Sequence, residues 1–172
     1  MPRLPLISER TPDLSAEQLA VYDHVTGSRG RMIRPYEVLL HAPGVARPMS
    51  ELGAQIRYHM SLPEHDRELA IMTVAAVTGC RFEWDSHHAI ALEAGVRPEV
   101  LDHLENASTC DLTPAEAVVI DFTRGLHESA SVEQPTFAAA HTELGDRGVV
   151  ELAALVGYYT MLAYVMGACD VC

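Results

Sequence analysis

The sequence contains no lysine and little cysteine, and both absences exclude classes of protein. All twelve basic residues among the 172 are arginines, against 24 acidic residues, so the formal net charge is −12. A nucleic-acid-binding protein needs concentrated positive charge, which this chain lacks. Four cysteines are also too few for a disulfide scaffold. We therefore expect no nucleic-acid partner and a fold that depends on a hydrophobic core.

Long apolar runs are scarce as well. The first residues, MPRLPLISERTPD, lack the apolar run of a signal peptide, which favours a cytoplasmic location. The one long uncharged stretch, residues 152–169, lies at the lower limit of what spans a bilayer. It contains glycines and tyrosines and has no cationic anchor beside it. We expect a buried or subunit-facing helix there, and no membrane partner.

Strand signals are missing, whereas helix starts recur. Neither period-2 alternation nor the Asn-Gly or Asp-Gly turns of hairpins occur, but Ser15, Ser61 and Thr113 each have Gln or Glu three residues later, as in a capping box. The pattern predicts a single all-α domain, with an N-terminal extension at 1–35 and a core at about 36–168. The predicted helices cover residues 15–26, 44–59, 63–79, 82–95, 98–106, 113–129, 134–144 and 147–168, with glycines 27, 30, 95 and 145 between them.

Two of the predicted helices are apolar on every face. Residues 69–80 read LAIMTVAAVTGC, and residues 147–168 have the same character. A helix that is apolar all round must be covered on all sides, and one small chain has little material to cover two. We therefore expect a homo-oligomer with the 147–168 helix near its interface.

The stretch from Glu68 to Gly95 carries the candidate chemistry. Cys80, Glu83 and His87 lie at positions i, i+3 and i+7, so a helix that begins at the cysteine puts all three on one face. Glu68 lies twelve residues upstream on a separate helix, and the spacing leaves open whether it reaches them. A helix N-terminus favours a thiolate, neighbouring carboxylates can supply an acid, and histidine can carry a proton. Each residue alone is typical of a structural role, but the combination indicates a catalytic site.

These residues resemble those of the carboxymuconolactone decarboxylase family, which includes the alkylhydroperoxidase D-like proteins. The likeness covers most of the chain from about residue 36. It implies an all-α helical bundle of the alkylhydroperoxidase D-like type that forms dimers, trimers or hexamers. The residues that carry it are Glu68, Gly79-Cys80, Glu83-Trp84, His87 and Ala94-Gly95, followed by 112–116 and 150–162.

The chain departs from the peroxidase branch of that family at two positions. That branch has a Cys-x-x-Cys motif with a histidine just before the second cysteine, whereas this chain has Phe82 and Glu83 there. A disulfide relay within the motif is therefore excluded. A segment with that spacing does occur at the C-terminus, residues 169–172, but we expect it to be a frayed tail. The spacing does not choose among the other possible thiol partners of Cys80, which are Cys110, Cys169, Cys172 and an external thiol.

Three functions remain open. The resemblance implies a cofactor-free acid–base enzyme, a decarboxylase or isomerase acting on a small organic acid, lactone or related metabolite, in which His87 shuttles the proton and Glu68 and Glu83 assist it. The alternative is a thiol peroxidase of the alkylhydroperoxidase type, with Cys80 as the peroxidatic thiolate. The third is a non-catalytic oligomeric binding protein. If the site around Cys80 and His87 is sealed and dry, we expect the third function, a non-catalytic binding protein.

Neither a metal nor an organic cofactor is expected. Glu68, Glu83 and His87 are chemically possible metal ligands, but a single Glu-x-x-x-His lacks the paired repeats of di-iron helix bundles. The acidic chain would repel an anionic substrate, so an arginine is expected at the entrance to the site. The nearest candidates in sequence are Arg67 and Arg81.

Overall fold

The structure, a computed structural model, describes all residues, 1–172, and contains eight helices and no strand. The predicted all-α class is confirmed. The helices are α1 (Ala16–Arg29), α2 (Arg34–Leu39), α3 (Pro43–Tyr58), α4 (Glu64–Thr78), α5 (Arg81–Glu93), α6 (Pro98–Asn106), α7 (Pro114–Ser129) and α8 (Gln134–Ala168).

Two of the three predicted capping boxes start helices. Ser15 caps α1 and Thr113 caps α7, each accepting a hydrogen bond from the backbone N–H three residues on. The prediction at Ser61 is wrong, since Pro63 precedes α4 and makes no side-chain cap. The backbone N–H and hydroxyl of Ser61 instead donate to the carboxylate of Glu151, at 2.7 and 2.8 Å. A distant partner has displaced the local one.

The helix boundaries differ from the predicted ones in three places. Helix α1 continues through Gly27 and ends at Gly30, where φ is +76°. The six residues of α2 were not predicted, because they are too few for a periodic pattern to emerge. Gly145 interrupts α8 with φ +67° and ψ −179°, so the two helices predicted on either side of it are present as segments of one bent element.

The chain forms two compact units, and residues Met1–Met60 with Tyr164–Val171 make up the first. Within it α1 packs against α3, and the guanidinium of Arg29 donates to the buried Ser50 hydroxyl at 2.9 Å. The backbone N–H of Arg3 donates to the carbonyl of Cys169 at 2.8 Å, and the N-terminal ammonium pairs with Asp170 at 3.0 Å. The residues before Cys172 are therefore tied down and are not the predicted frayed tail.

The second unit comprises Ser61–Ala163 and Cys172. Helix α4 is its centre, with an unbroken buried run from Glu68 to Ala75, and it packs against α5, α6 and α7. This burial explains why α4 is apolar on every face. The description of the whole chain as one domain with an N-terminal extension stays a prediction.

The start of α7 is fixed by an ion pair within the second unit between half-buried Arg97 and buried Glu116. Two N–H groups of Arg97 donate to the two carboxylate oxygens of Glu116, at 2.9 and 2.7 Å, and the backbone N–H of Thr113 donates to the same carboxylate at 2.8 Å. The Arg97 guanidinium, together with the hydrogen bond from the backbone of Thr113, lowers the pKa of Glu116 to about 2. The carboxylate therefore stays charged across the neutral range.

Helix α8 is long and apolar enough to cross a membrane by length and composition. Half of its most apolar stretch of 18 residues is buried inside the protein, however, as in the core helix of a soluble protein. Val150 and Tyr164 on this helix are 68% and 62% exposed. The homo-oligomer that would cover them stays a prediction.

Candidate active site

The turn between α4 and α5 sets the geometry of the site. Gly79 ends α4 in the left-handed conformation, with φ +66°, which residues with a side chain rarely adopt. Cys80 follows in an extended conformation and is the N-cap of α5. Because α5 packs back against α4, residues early in α4 lie beside residues late in α5. Glu68 therefore approaches the face of α5 that carries the other candidate residues.

The Glu68 carboxylate and the His87 imidazole form the central contact of the site. Oε2 of Glu68 lies 2.7 Å from Nδ1 of His87, and the two residues are 2% and 4% exposed. A carboxylate only accepts hydrogen bonds, so Nδ1 carries the proton and donates it into this bond. The question left open by the spacing is thereby answered, because Glu68 does reach the cluster.

The other imidazole nitrogen faces a second carboxylate. Nε2 of His87 lies 3.7 Å from Oε2 of Glu83, which is one helical turn earlier on α5 and 5% exposed. The two predicted carboxylates thus lie on opposite sides of one imidazole. This arrangement orients the ring and leaves Nε2 as the nitrogen that can exchange a proton with another group.

Arg67 and Tyr159 complete the surroundings of this cluster. Nε of Arg67 lies 3.7 Å from Oε1 of Glu68, with a side chain that is 13% exposed. The ring of Tyr159, on α8, meets His87 edge to face with centroids 5.3 Å apart. In the sequence, Tyr159 stands out only as part of the motif shared with the family, residues 150–162. A tyrosine within an apolar helix could have indicated that Tyr159 is a site residue. The sequence does not show, however, which other helix this tyrosine faces.

Cys80 is bound to another cysteine. It is fully buried and forms a disulfide with Cys172, with Cα atoms 4.9 Å apart and a sequence separation of 92. The expectation of an unattached C-terminal Cys-x-x-Cys segment is therefore wrong. The remaining two cysteines, Cys110 and Cys169, are free and half-buried.

A cavity of about 200 Å³ lies beside Cys80. It is bounded by α4, α5 and α6, and its lining includes the buried Trp84. Arg81 at its edge pairs with Asp85 and Glu105, both at 2.7 Å, and these carboxylates raise its pKa. A larger cavity of about 390 Å³ lies between the start of α4, α7 and α8. Of these two cavities, only the smaller is lined by one of the four candidate residues, Cys80.

No group of three or more histidine, cysteine, aspartate or glutamate side chains has the arrangement of a metal site. Glu68 and Glu83 approach different nitrogens of the same imidazole, one on each side. A metal bound by all three side chains would need both carboxylates on one side of the ring. The expectation that no metal binds stays a prediction.

The sequence around the site is similar to that of a known protein family. The sequence model of the carboxymuconolactone decarboxylase family matches residues 43–124, which include all four candidate residues. The chain is similar to this family over these residues. The resemblance predicted from the residues around Cys80 is thereby confirmed. No curated protein shows a significant match to the sequence.

Two solved structures share the fold of this chain. One is an uncharacterized peroxidase-related protein from Silicibacter sp. TM1040, with a TM-score of 0.75 and 16% identity, where the match covers 98% of this chain and 92% of that one. The other is described as an alkylhydroperoxidase AhpD core, an uncharacterized peroxidase-related protein from Ralstonia eutropha JMP134. Its TM-score is 0.77 at 18% identity, covering 99% and 91% of the two chains. At these identities the likeness shows the fold alone.

Proposed function

We propose that the protein is a cofactor-free acid–base enzyme that decarboxylates or isomerises a small organic acid, lactone or related metabolite. The observation that carries the proposal is the buried series Glu68, His87, Glu83, with the imidazole between two carboxylates at 2.7 and 3.7 Å. The family includes enzymes with this kind of chemistry, which supports an acid–base reading of the cluster.

His87 is the proton carrier in the proposed mechanism. In a decarboxylation, the substrate carboxylate leaves as carbon dioxide, and the electron pair of the broken carbon–carbon bond moves into a neighbouring carbonyl to form an enolate. Protonated His87 then delivers the Nε2 proton to the carbanionic carbon. In an isomerisation, Nε2 first removes a proton and later returns it to a different carbon. Both sequences need the imidazole to hold a positive charge for part of the cycle.

Glu68 and Glu83 have separate parts in this mechanism. Glu68 fixes the ring through Nδ1 and balances the charge of the imidazolium, as the buried carboxylate does in other histidine-based enzymes. Glu83 lies on the Nε2 side and can hold the proton between turnovers. The cluster is at most 5% exposed, so water is largely excluded and the electrostatic interactions are strengthened. We expect a local opening to admit the substrate.

The test is turnover of a panel of lactones, carboxylated lactones and 3-oxo acids by single variants. We expect His87→Ala and Glu83→Gln to lower kcat/KM by roughly 10²–10⁴-fold, the usual contribution of general acid–base catalysis. His88→Ala is the matched control, because His88 neighbours His87 in sequence but contacts Trp84, with ring centroids 6.1 Å apart. Wild-type turnover by both cluster variants would contradict the proposal.

A thiol peroxidase is the second candidate, and the disulfide of Cys80 favours it. In that reaction the Cys80 thiolate attacks a hydroperoxide, the O–O bond breaks, an alcohol leaves and Cys80 becomes a sulfenic acid. A disulfide at Cys80 is the oxidised state that such a reaction produces. Peptide mass spectrometry after one equivalent of hydroperoxide tests this candidate. A reduced Cys80 beside oxidised Cys110 or Cys169 would exclude it.

The near-complete burial of the cluster favours the third candidate, a non-catalytic binding protein, because we expect that function for a sealed site. A different observation argues against a non-catalytic role. Burying several titratable groups in one place costs free energy, and such clusters are typical of functional sites. Hydrogen–deuterium exchange decides between the two. We expect α5 to exchange faster than α4 if the cluster opens for substrate, and equally slowly if the site is sealed.

A further inference from the structure

The disulfide between Cys80 and Cys172 joins two very different sulfur environments. Cys80 is fully buried and is the N-cap of α5, whereas Cys172 is exposed. Both cysteines belong to the same compact unit. The other two cysteines have no disulfide partner, so the pairing is selective. An attacking thiol from solvent therefore meets Cys172 first.

The two sulfur atoms also differ as leaving groups. The N-terminal end of α5 carries a partial positive charge, which stabilises a thiolate at Cys80. Cys172 lies outside any helix N-terminus and receives no comparable stabilisation of a thiolate. Because the better-stabilised thiolate leaves faster, exchange is directed towards breaking the bond at Cys172 and releasing Cys80.

We propose that Cys80 and Cys172 form a reversible dithiol–disulfide couple, in which Cys172 is both the resolving cysteine and the point of entry for a small thiol reductant. In the reductive half, a thiolate attacks Sγ of Cys172, a mixed disulfide forms and Cys80 leaves as a thiolate. A second thiol attacks the mixed disulfide, releases Cys172 and leaves as the oxidised disulfide of the reductant. Two thiols are oxidised and one protein disulfide is reduced.

The oxidative half rests on the peroxidase candidate described above. A hydroperoxide converts the Cys80 thiolate to a sulfenic acid with loss of an alcohol. The Cys172 thiol then attacks Sγ of Cys80, the disulfide forms and water leaves. The C-terminal cysteine thereby takes the part that a second cysteine in a Cys-x-x-Cys motif would play, at a position where this chain has Glu83.

This couple is compatible with a reducing compartment, in which disulfides are rare and are usually transient and catalytic. A disulfide with one buried and one exposed cysteine is suited to repeated opening, because the reductant reaches it without the protein unfolding.

The first experiment follows the oxidised partner of Cys80. Reduced wild type, Cys172→Ser and Cys169→Ser are each treated with one equivalent of hydroperoxide in the presence of dimedone, and circular dichroism checks that each variant is folded. We expect the wild type and Cys169→Ser to form the Cys80–Cys172 disulfide, and Cys172→Ser to carry dimedone on Cys80. Pairing of Cys80 with Cys110 or Cys169 in the wild type would overturn the inference and leave the peroxidase candidate intact.

A parallel oxidation with diamide separates the two proposals. If hydroperoxide leaves Cys80 reduced while diamide forms the Cys80–Cys172 disulfide, the peroxidase candidate fails and the dithiol couple stands. If diamide forms a different pair, the couple itself is wrong.

The second experiment uses only the wild type and finds the point of attack. The oxidised protein is mixed briefly with one equivalent of glutathione, quenched in acid, alkylated and digested. We expect glutathione on Cys172 and the alkyl group on Cys80, in at least a tenfold excess over the reverse pattern. Equal amounts of the two patterns, or an excess of glutathione on Cys80, would overturn the proposed direction of exchange.

Discussion

Two carboxylates of the second unit, Glu116 and Glu68, are equally buried but are held in different ways. Glu116 accepts from the Arg97 guanidinium at 2.7 and 2.9 Å, whereas Glu68 accepts from the His87 imidazole at 2.7 Å. Arginine keeps its charge at every relevant pH, while an imidazole gains and loses a proton near neutrality. The chemistry of the partner, more than burial, thus separates a carboxylate that fixes a helix start from one that can assist proton transfer.

The largest expected effect comes from changing Glu68. Glu68→Gln keeps an oxygen that accepts from Nδ1 of His87 but removes the charge that balances the imidazolium. We expect kcat/KM on the substrate found by screening to fall by roughly 10²–10⁴-fold. Glu116→Gln should leave the turnover of the folded protein unchanged. An equal loss of turnover in both variants would contradict the distinction between a carboxylate that assists proton transfer and one that only stabilises the fold.

The disulfide of Cys80 covalently anchors the start of α5, the helix that carries His87. We expect its loss to have the next largest effect, a loss of stability. The closed loop spans 92 residues, and the chain-entropy model for a loop of about that length gives about 4–5 kcal/mol of stabilisation. We expect Cys172→Ser, compared with the oxidised wild type, to lower Tm by roughly 9–18 °C. Differential scanning calorimetry measures this, with Cys169→Ser, which removes a free thiol, as the control. Equal Tm values for both variants would indicate that the disulfide contributes little to stability.

Removing the charge of Glu116 should cost stability in a pH-dependent way. Its pKa falls from an ordinary value of 4.5 to about 2 in the folded protein. Because the folded pKa is the lower one, the stabilisation is complete above about pH 4.5 and is lost as the pH falls to about 2. We expect Glu116→Gln to lower the free energy of unfolding by about 2–3 kcal/mol at pH 7.

Urea unfolding at pH 7, 4 and 2.5 checks this prediction. The difference in free energy between the wild type and Glu116→Gln should shrink as the pH falls. A difference that stays constant with pH would mean that packing, and not the ion pair with Arg97, explains the loss.

The smallest expected effect is the loss of stability on removing the side-chain cap of α7 while its ion pair is kept. Thr113→Ala removes the hydroxyl that accepts from the backbone N–H of Glu116 at 3.2 Å but leaves Arg97 in contact with the carboxylate. A loss of about 1 kcal/mol is typical for such a change. Ser15→Ala, at the matching cap of α1, should cost about as much in chemical denaturation. A much larger loss for Thr113→Ala would show that the cap and the ion pair are coupled.

The local features of the chain were predictable because they depend on neighbours in sequence. The caps at Ser15 and Thr113 follow from spacings of three residues, and the shared face of Cys80, Glu83 and His87 follows from the helical repeat. Where a distant group competed, the local pattern failed. Ser61 bonds to a carboxylate 90 residues away, and Pro63 starts the helix without a side-chain cap.

The composition and spacing of the chain by themselves determined its all-α class, the face shared by the residues of α5 and the family likeness around Cys80. The tertiary structure decided that Glu68 meets His87 across 19 residues and that Cys172 reaches Cys80 across 92. The packing of α4 against α5, and the path of the chain after α8, result from many weak apolar contacts made at once. The regular spacing of one helix carries no information about which distant residue those contacts will bring to it.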